Sequence, residues 1–372
     1  MRRVGAVQGR PERPRAVRPD ATENGAARRP SRAGGTAAPR LGRSDLERAA
    51  TELGIDVVGA APVAPYEETE RAIRERKQRG LFADMRFTMA KPEVSCHPES
   101  LLPNARTVVS AALCYYAPGP ELGKLQGRLP RYTWYDAYAE LRAKLDALGR
   151  RLGGSYRTLV DANQHVDREG AARAGIGFYG KNTMLITRRH GSWVVLGTLV
   201  TDVEIEPSEP LQLDCGNCRL CIDACPTGAL DEPGTLDATR CLSYWTQAPT
   251  GIPEAYRERL GTMVYGCDIC QDVCPWNRGV EGRRTDTPPP EAEPVVSLVE
   301  WLRGDDKSLR ERYDRLYFPG NDVRYLRRNA LVALGNTGDP DGAALAEPFV
   351  EGDDPMLREH AAWAIRRLEA AC

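Results

Sequence analysis

Four thiols stand at short fixed intervals in Cys215-x2-Cys218-x2-Cys221-x3-Cys225-Pro226. Gaps of two residues let one loop wrap three corners of an iron–sulfur cubane. The fourth thiol, starting a helix, points away and serves a second cluster in two-cluster ferredoxin folds. A second run, Cys267-x2-Cys270-x3-Cys274-Pro275, adds three thiols. Cys241 between the runs brings the total to eight, the number that two [4Fe–4S] clusters need. Cys215, Cys218, Cys221 and Cys274 are assigned to one cluster, and Cys225, Cys241, Cys267 and Cys270 to the other. Zinc ribbons also use C-x2-C pairs, but they lack the third cysteine at two-residue spacing and the trailing Cys-Pro. Disulfides within such runs would be strained, and clustered thiols point to a reducing compartment. Cys96, Cys114 and Cys372 have no such context, and Cys114 in an apolar strand reads as a small core residue.

Clusters move electrons one at a time, so another group must do the bond chemistry. Asp161 ends an apolar strand, at the carboxyl end where α/β active sites tend to lie. As a general acid it would need burial to raise its pKa; as a cap of the following turn it would need nothing. His165 could be a ligand or base, or a structural histidine. Asp167 reads as a helix cap and Asp268 as a turn residue. Gly175-Ile176-Gly177-Phe178-Tyr179-Gly180 fits G-x-G-x-x-G, and with Lys181 it approaches a phosphate-binding loop. Both motifs require a strand before and a helix after, and here the order is reversed. The glycines are better read as letting backbone approach a bulky cofactor.

These residues must be held by an α+β fold. The chain of 372 residues has 41% hydrophobic and 28% charged residues and a net charge of −1. It can therefore build a sizeable core, and its bulk charge steers no polyanion. Residues 1–43 carry eleven Arg, three acidic residues and five Pro without apolar periodicity, and read as a disordered leader. Ser44 to Glu47 reads as a capping box opening a helix that ends near Gly54. Strands are expected at Ile55–Ala61, Thr107–Tyr116, Arg157–Val160, Thr183–Thr187 and Trp193–Thr201. Helices are expected at 66–79, Asp136–Leu152 and Asp167–Ala174. This alternation makes 44–205 one α/β-like domain. Residues 206–280 form a ferredoxin-like double-cluster domain, and 281–294, with three consecutive prolines, a linker. In 295–372 the patterns Arg324–Leu334 and Pro355–Leu368 flank a Gly335–Pro340 turn, like one unit of an α-solenoid. Arg324, Arg327 and Arg328 on the first of these helices are candidates for phosphate contacts, with an ordinary solvated face as the alternative. No apolar run reaches the roughly 18 residues of a membrane helix, so a soluble protein is expected.

Taken together the residues resemble the epoxyqueuosine reductase family. The resemblance rests on Val160-Asp161, Gly175–Thr183, the first cysteine run with Pro226-Thr227-Gly228-Ala229, and Cys241-Leu242-Ser243-Tyr244. It continues through Tyr265–Asp268, Cys274–Asn277, Arg328–Ala330, Ala333–Asn336 and His360–Ala364, and spans about 45 to 370. It implies a cytoplasmic cobalamin enzyme that reduces epoxyqueuosine to queuosine at the wobble position of the tRNA anticodon loop. Electrons from a low-potential donor would pass through the two clusters. It further implies that Asp161 donates a proton and that Asp161, Lys181, Leu185, Leu196, Leu242 and Asp268 contact cobalamin. A C-terminal HEAT-like repeat and a monomeric chain are also expected. Departures cluster near the pocket. Where the family shows a small residue, Pro and then Glu-Arg after Asp161, this chain has Ala162-Asn163-Gln164-His165-Val166-Asp167-Arg168. The family's Asp-Tyr-His is Ala137-Tyr138-Ala139, and an expected Arg is Ala90. Two other classes compete: a cobalamin and iron–sulfur reductase of a small-molecule epoxide or halide, and a non-catalytic electron-transfer protein. The HEAT-like end favours the tRNA enzyme over the first, and Asp161 with the large preceding domain argues against the second.

Overall fold

The computed structural model describes residues 40–285 and 287–370. The leader reading at 1–43 and Cys372 thus fall almost wholly outside the described residues. The centre is a four-stranded sheet in the order β1 (Val57–Pro62), β2 (Thr107–Cys114), β7 (Val194–Thr201), β4 (Tyr156–Val160). Between β2 and β7 come β3 (Gln126–Arg128) and a two-stranded hairpin of β5 (Phe178–Tyr179) and β6 (Leu185–Ile186). Every residue of β2 and β7 is buried, which suits their run of Val, Ala, Leu, Ser and Thr.

All three pairings of the central sheet are antiparallel. This corrects the α/β-like reading: strand and helix alternate in sequence, yet every pair of neighbouring strands in the sheet runs in opposite directions. Asp161 therefore does not sit at the carboxyl edge of a parallel sheet, and its place has to be argued from its surroundings. The helix Ala137–Leu152 lies on one face of the sheet. Leu141, Leu145 and Leu148 are fully buried at helical spacing, and Gly197 of β7 leaves room for Leu141 and Leu145. The helix Asp167–Arg173 covers the other face. Its end approaches β1 so closely that a Cβ on Gly59 would come within 2.0 Å of the Ala174 carbonyl oxygen.

The capping box is not used. The first helix runs Arg43–Glu52 with Gly42 as its N-cap and no side-chain cap. The chain is tied to the sheet just before it, with Leu41 N–H donating to Glu204 O and Glu206 N–H to Leu41 O. That tie sets where helical geometry can begin, and Ser44 falls inside the helix.

The expected linker is docked instead. Glu293 N–H donates to Trp134 O, and the Glu293 carboxylate takes bonds from Arg312 and Arg315. Immediately after, β8 (Val295–Ser297) pairs with β3. Proline composition marked an extended segment correctly, but extended backbone can pair as well as swing. The helices Arg324–Gly335 and Pro355–Glu369 stand where expected, and a helix Ala343–Val350 containing Pro348 lies between them.

Buried polar groups lock this helical end to the cysteine-bearing segment. Arg328 is fully buried and donates to the carbonyls of Trp245, Thr246, Ala248 and Thr250. Arg327 bonds Gly304 O and Asp306, and Arg324 pairs with Asp322 and Asp354. The three candidate phosphate contacts are thus engaged within the fold, Arg328 on carbonyls of the turn at 245–250 that Asn329 shares, and Arg324 and Arg327 on nearby carboxylates. His360 completes the lock, its Nε2 accepting from Ile252 N–H (3.0 Å) and its Nδ1 donating to Met356 O (2.7 Å).

One ring nitrogen must accept and the other donate, so the fold holds neutral His360, and burial lowers its pKa from 6.5 to about 4. The unfolded chain takes up a proton that the folded chain refuses, so this contribution is complete above pH 6.5 and is lost as pH falls towards 4. Chemical-denaturation midpoints should decline across that window, by up to about 1.4 kcal/mol per pH unit from this group. The decline should be shallower in His360→Gln.

Candidate active site

Asp161 follows the last residue of β4. The Val160 carbonyl accepts from the Arg142 guanidinium, which fixes the strand end beneath the helix Ala137–Leu152. Asp161 then turns with φ +50°, a left-handed conformation that L residues adopt only at a cost of about 1–2 kcal/mol. Thr183 (φ +65°) and Phe87 (φ +27°) share this unusual backbone. All three line the same cleft, whose empty volume is about 1780 Å³ counting its open mouth.

The cleft lies between the sheet face under Asp167–Arg173 and the cysteine-bearing segment. One wall is apolar, with Leu185, Leu196, Leu242 and Ile269. Another carries the thiols Cys225, Cys241, Cys267 and Cys270, and three carboxyl groups face in: Asp161, Asp167 and Asp268. Five of the six expected cofactor contacts therefore meet here. Lys181 does not. Its Nζ donates to the carbonyls of Gly216 (2.6 Å) and Cys218 (2.9 Å), so it ties down the first cysteine loop. The turn closed by Thr183 N–H to Gly180 O sends Asn182 to Leu185 into the cleft and Lys181 away from it.

The thiols fall into two neighbourhoods. Burial raises the pKa of Cys274, and Cys215, Cys221 and Cys218 push it the same way. Burial pushes Cys267 up to about 12, with Cys241 and Cys225 adding to the rise, while Cys270 is raised by burial and by Cys267 and Cys241, with a smaller push from Cys221 of the other set. Among the described residues no group of three or more His, Cys, Asp or Glu is placed to hold a single metal ion. A cubane sets its thiolates at separate corners, so the two neighbourhoods suit a cluster each better than a tetrahedral zinc.

Burial also sets the carboxyl groups. Asp268 is pushed up to about 6 by desolvation, against a hydrogen bond from Arg131 N–H (2.8 Å) to its Oδ2. Asp167 is raised chiefly by burial and held down by Arg168. Asp167 is half-exposed by surface area, but the surface it shows belongs to the cleft, so its carboxyl is shielded from bulk water. It is the first residue of its helix, with Val166 as the N-cap, so the helix-cap reading does not hold. Asp268 likewise faces the cleft rather than an exposed turn.

His165 lies outside the cleft, buried with its Nε2 3.0 Å from Tyr66 Oη, and burial lowers its pKa to about 4. It is structural. In the glycine loop, a Cβ on Gly175 would come within 2.2 Å of Glu209 O and one on Gly177 within 2.7 Å of Leu185. These glycines admit neighbouring chain, and no phosphate is needed to explain them. Sequence reasoning missed Tyr138, Asp167 and the mouth pair Phe87 and Tyr317, whose rings meet edge to face at 6.2 Å. A large exposed aromatic on a Met-rich loop was the available signal for Phe87.

Residues 214–277 match the 4Fe-4S double cluster binding domain family. Over most of its length the chain is similar to curated proteins named epoxyqueuosine reductase. The Lactococcus garvieae protein is 33% identical over 344 residues, covering 88% of this chain and 96% of that one. The Escherichia coli protein is 32% identical over 331 residues, covering 84% and 86%. Among solved structures, epoxyqueuosine reductase with an epoxyqueuosine-modified tRNA-Tyr stem loop matches with a TM-score of 0.79 at 32% identity, covering 87% of this chain and 89% of that one. The Bacillus subtilis enzyme, solved with its catalytic aspartate loop swung out of the active site, matches with a TM-score of 0.77 at 32% identity, covering 87% and 90%.

The two bonds from Lys181 predict its effect. Lys181→Met should loosen the Cys215–Cys221 loop, so that a chelator strips iron on the order of tenfold faster, as the loss of about 1.4 kcal/mol would give. Iron release followed by absorbance against Lys181→Arg checks this.

Proposed function

The chain belongs to the epoxyqueuosine reductase family, and from that premise we propose that it reduces epoxyqueuosine to queuosine at the wobble position of tRNA. The observation that carries the reading is one cleft shared by Asp161 and four thiols of the second cysteine set. Electron delivery and proton delivery thereby converge on one substrate-sized space. Cys225, Cys241, Cys267 and Cys270 hold the cluster beside the cleft, and Cys215, Cys218, Cys221 and Cys274 hold the outer one, which receives electrons from a low-potential donor.

The cleft fits cobalamin. An extended apolar wall of Leu185, Leu196, Leu242 and Ile269 suits the face of a corrin, and Asn182, Thr183, Ser243 and Gln247 offer polar atoms to its amide rim. The four histidines of the chain all lie elsewhere, so it offers the cobalt no imidazole. When bound, cobalamin supplies a low-valent metal able to reduce a strained epoxide. This chain's residues do the rest. Apolar walls exclude water, and Asp161 protonates the epoxide oxygen, because an unprotonated alkoxide is a poor leaving group. Tyr138 keeps its place on the cleft wall although the residues flanking it depart from the family pattern. Ala137, Ala139 and Ala90 stand where the family pattern carries Asp, His and Arg, while Asp161 and Tyr138 stay on the cleft wall.

A nucleobase substrate has to leave its stack and enter the cleft. Phe87 is 41% exposed at the mouth, with Tyr317 against it. Two aromatics at an opening are a platform for an extruded base or its neighbour. The helical segment from 295 onward is read as a HEAT-like unit flanking this mouth. A monomer working in the cytoplasm, where tRNA is found, completes the proposal. Among the described residues no helix is long and apolar enough to cross a membrane.

The test uses anaerobically reconstituted protein, cobalamin, a strong reductant and tRNA carrying epoxyqueuosine, with digested nucleosides read by mass spectrometry. Wild type should remove one oxygen from the modified base, and Asp161→Ala should lower the rate by about 10²–10⁴ with clusters intact. No conversion by a cluster-replete, cobalamin-loaded wild type would count against the tRNA reading. Phe87→Ala should raise KM for the tRNA by roughly five- to a hundredfold, the worth of one stacked base, with little change in kcat.

A further inference from the structure

Turning an epoxide into an alkene breaks both C–O bonds, forms a C=C bond and releases the oxygen as water. The balance is two electrons and two protons. The clusters account for the electrons, one each. Asp161 accounts for one proton, and a carboxyl group gives only one before it must be reloaded. Asp161 lies at an exposed turn and has to be reloaded before it gives again, so a second acid already in the cleft supplies the second proton without that wait.

The structure places one there. Asp167 faces the cleft that holds Asp161, and the half-buried Tyr138 lines the same cleft, its phenol raised by desolvation and further by the charges of Asp161 and Asp167. One Asp167 oxygen accepts from Arg168 N–H at 2.7 Å. The Arg168 guanidinium reaches away to the Thr183 carbonyl, so the cation beside Asp167 does not form a closed ion pair with it. Tyr179, the other titratable group that senses Asp167, turns its hydroxyl to Glu169.

We propose that Asp167 is the second acid of the site, supplying the proton that lets the epoxide oxygen leave as water after Asp161 has supplied the first. This rests on the epoxyqueuosine reductase reading above. Burial favours the protonated form of Asp167, as a donor requires, and the lone cationic neighbour keeps that preference moderate. Two carboxyl groups in one cleft, one at an exposed strained turn and one shielded, are the arrangement in which acid roles separate. Asp268 is a less suitable source, because the Arg131 guanidinium stands 3.7 Å from the oxygen that also accepts Arg131 N–H, an ion pair that Asp167 lacks among the described residues.

The test follows single-turnover deoxygenation of epoxyqueuosine tRNA by the holoenzyme, with iron content and tRNA binding measured alongside. Asp167→Asn should slow product formation 10²–10⁴-fold while iron content and tRNA affinity stay within about twofold of wild type. Asp167→Glu should recover most of the rate. Asp167→Gly should be rescued by added small carboxylic acids, more strongly by the stronger acid, a response that a purely structural aspartate cannot give. A fully active Asp167→Asn beside a converting wild type overturns the inference alone. So does an inactive Asp167→Gly that no acid rescues. A wild type that leaves the epoxide untouched overturns the function and this inference together.

Discussion

One buried amide fixes the distance between the sheet and the second cysteine run. Asn277 is fully buried; its Oδ1 accepts from Ser192 N–H (2.7 Å), and its Nδ2 donates to Gln271 O (2.7 Å) and Ser192 Oγ (3.1 Å). Ser192 stands two residues before β7, and Gln271 lies between Cys270 and Cys274. The amide thus clamps the turn of the cysteine run to the head of a central strand. Gly191 allows the approach, since a Cβ there would come within 2.0 Å of Asn277 Oδ1. A dry bidentate amide tolerates little slippage, because either half-broken state leaves a buried polar group unpaired. The cleft is the gap this clamp holds open, with β7 on one side and Cys267 to Cys270 on the other.

Much of this was legible in the sequence wherever the information is local. Cysteine spacing encodes how a loop wraps a cluster, so a double-cluster segment could be read without a structure, and residues 214–277 match such a domain. Strands and helices announced themselves through periodicity. Direction did not, because the same alternating string can be wound parallel or antiparallel and only long-range register decides between them. Lys181 fails for a related reason. Its motif places it next to cleft residues in sequence, but a tight turn sends adjacent side chains to opposite sides. Arg328 looked like a surface cation because arginine composition carries no burial information, whereas its real partners are carbonyls about 80 residues away.

Buried polar groups here do two kinds of work, and their partners tell them apart. Arg328, His360 and Asn277 have their polar atoms matched to fixed backbone groups, and they spend burial on geometry. His360 is held neutral by having one acceptor and one donor assigned. The carboxyls of Asp167 and Asp268 are instead shielded with fewer donors than they could accept, so burial shifts their protonation rather than locking their shape. Side chains of the same polarity become hinge pins or proton carriers according to how completely they are satisfied. Sequence offered no way to sort them, since Asp167 and Asp268 first looked like a cap and a turn.

Backbone strain completes the argument for where the chemistry sits. Asp161, Thr183 and Phe87 each adopt positive φ without being glycine, and they come from three separate segments of chain that meet only at the cleft. Ala83, Asn104, Leu125 and Asn321 also have positive φ outside the cleft, so strain alone does not mark a site; at the three cleft positions the surroundings have to hold the turns. Those surroundings are identifiable. Arg142 grips the carbonyl before Asp161, Gly180 closes the turn that carries Thr183, and the Phe87 ring rests against Tyr317 from the helical end of the chain. The Bacillus subtilis enzyme has been solved with its catalytic aspartate loop swung out of the active site. The site therefore sets cysteines clamped to the sheet beside an aspartate whose preceding carbonyl is gripped by Arg142.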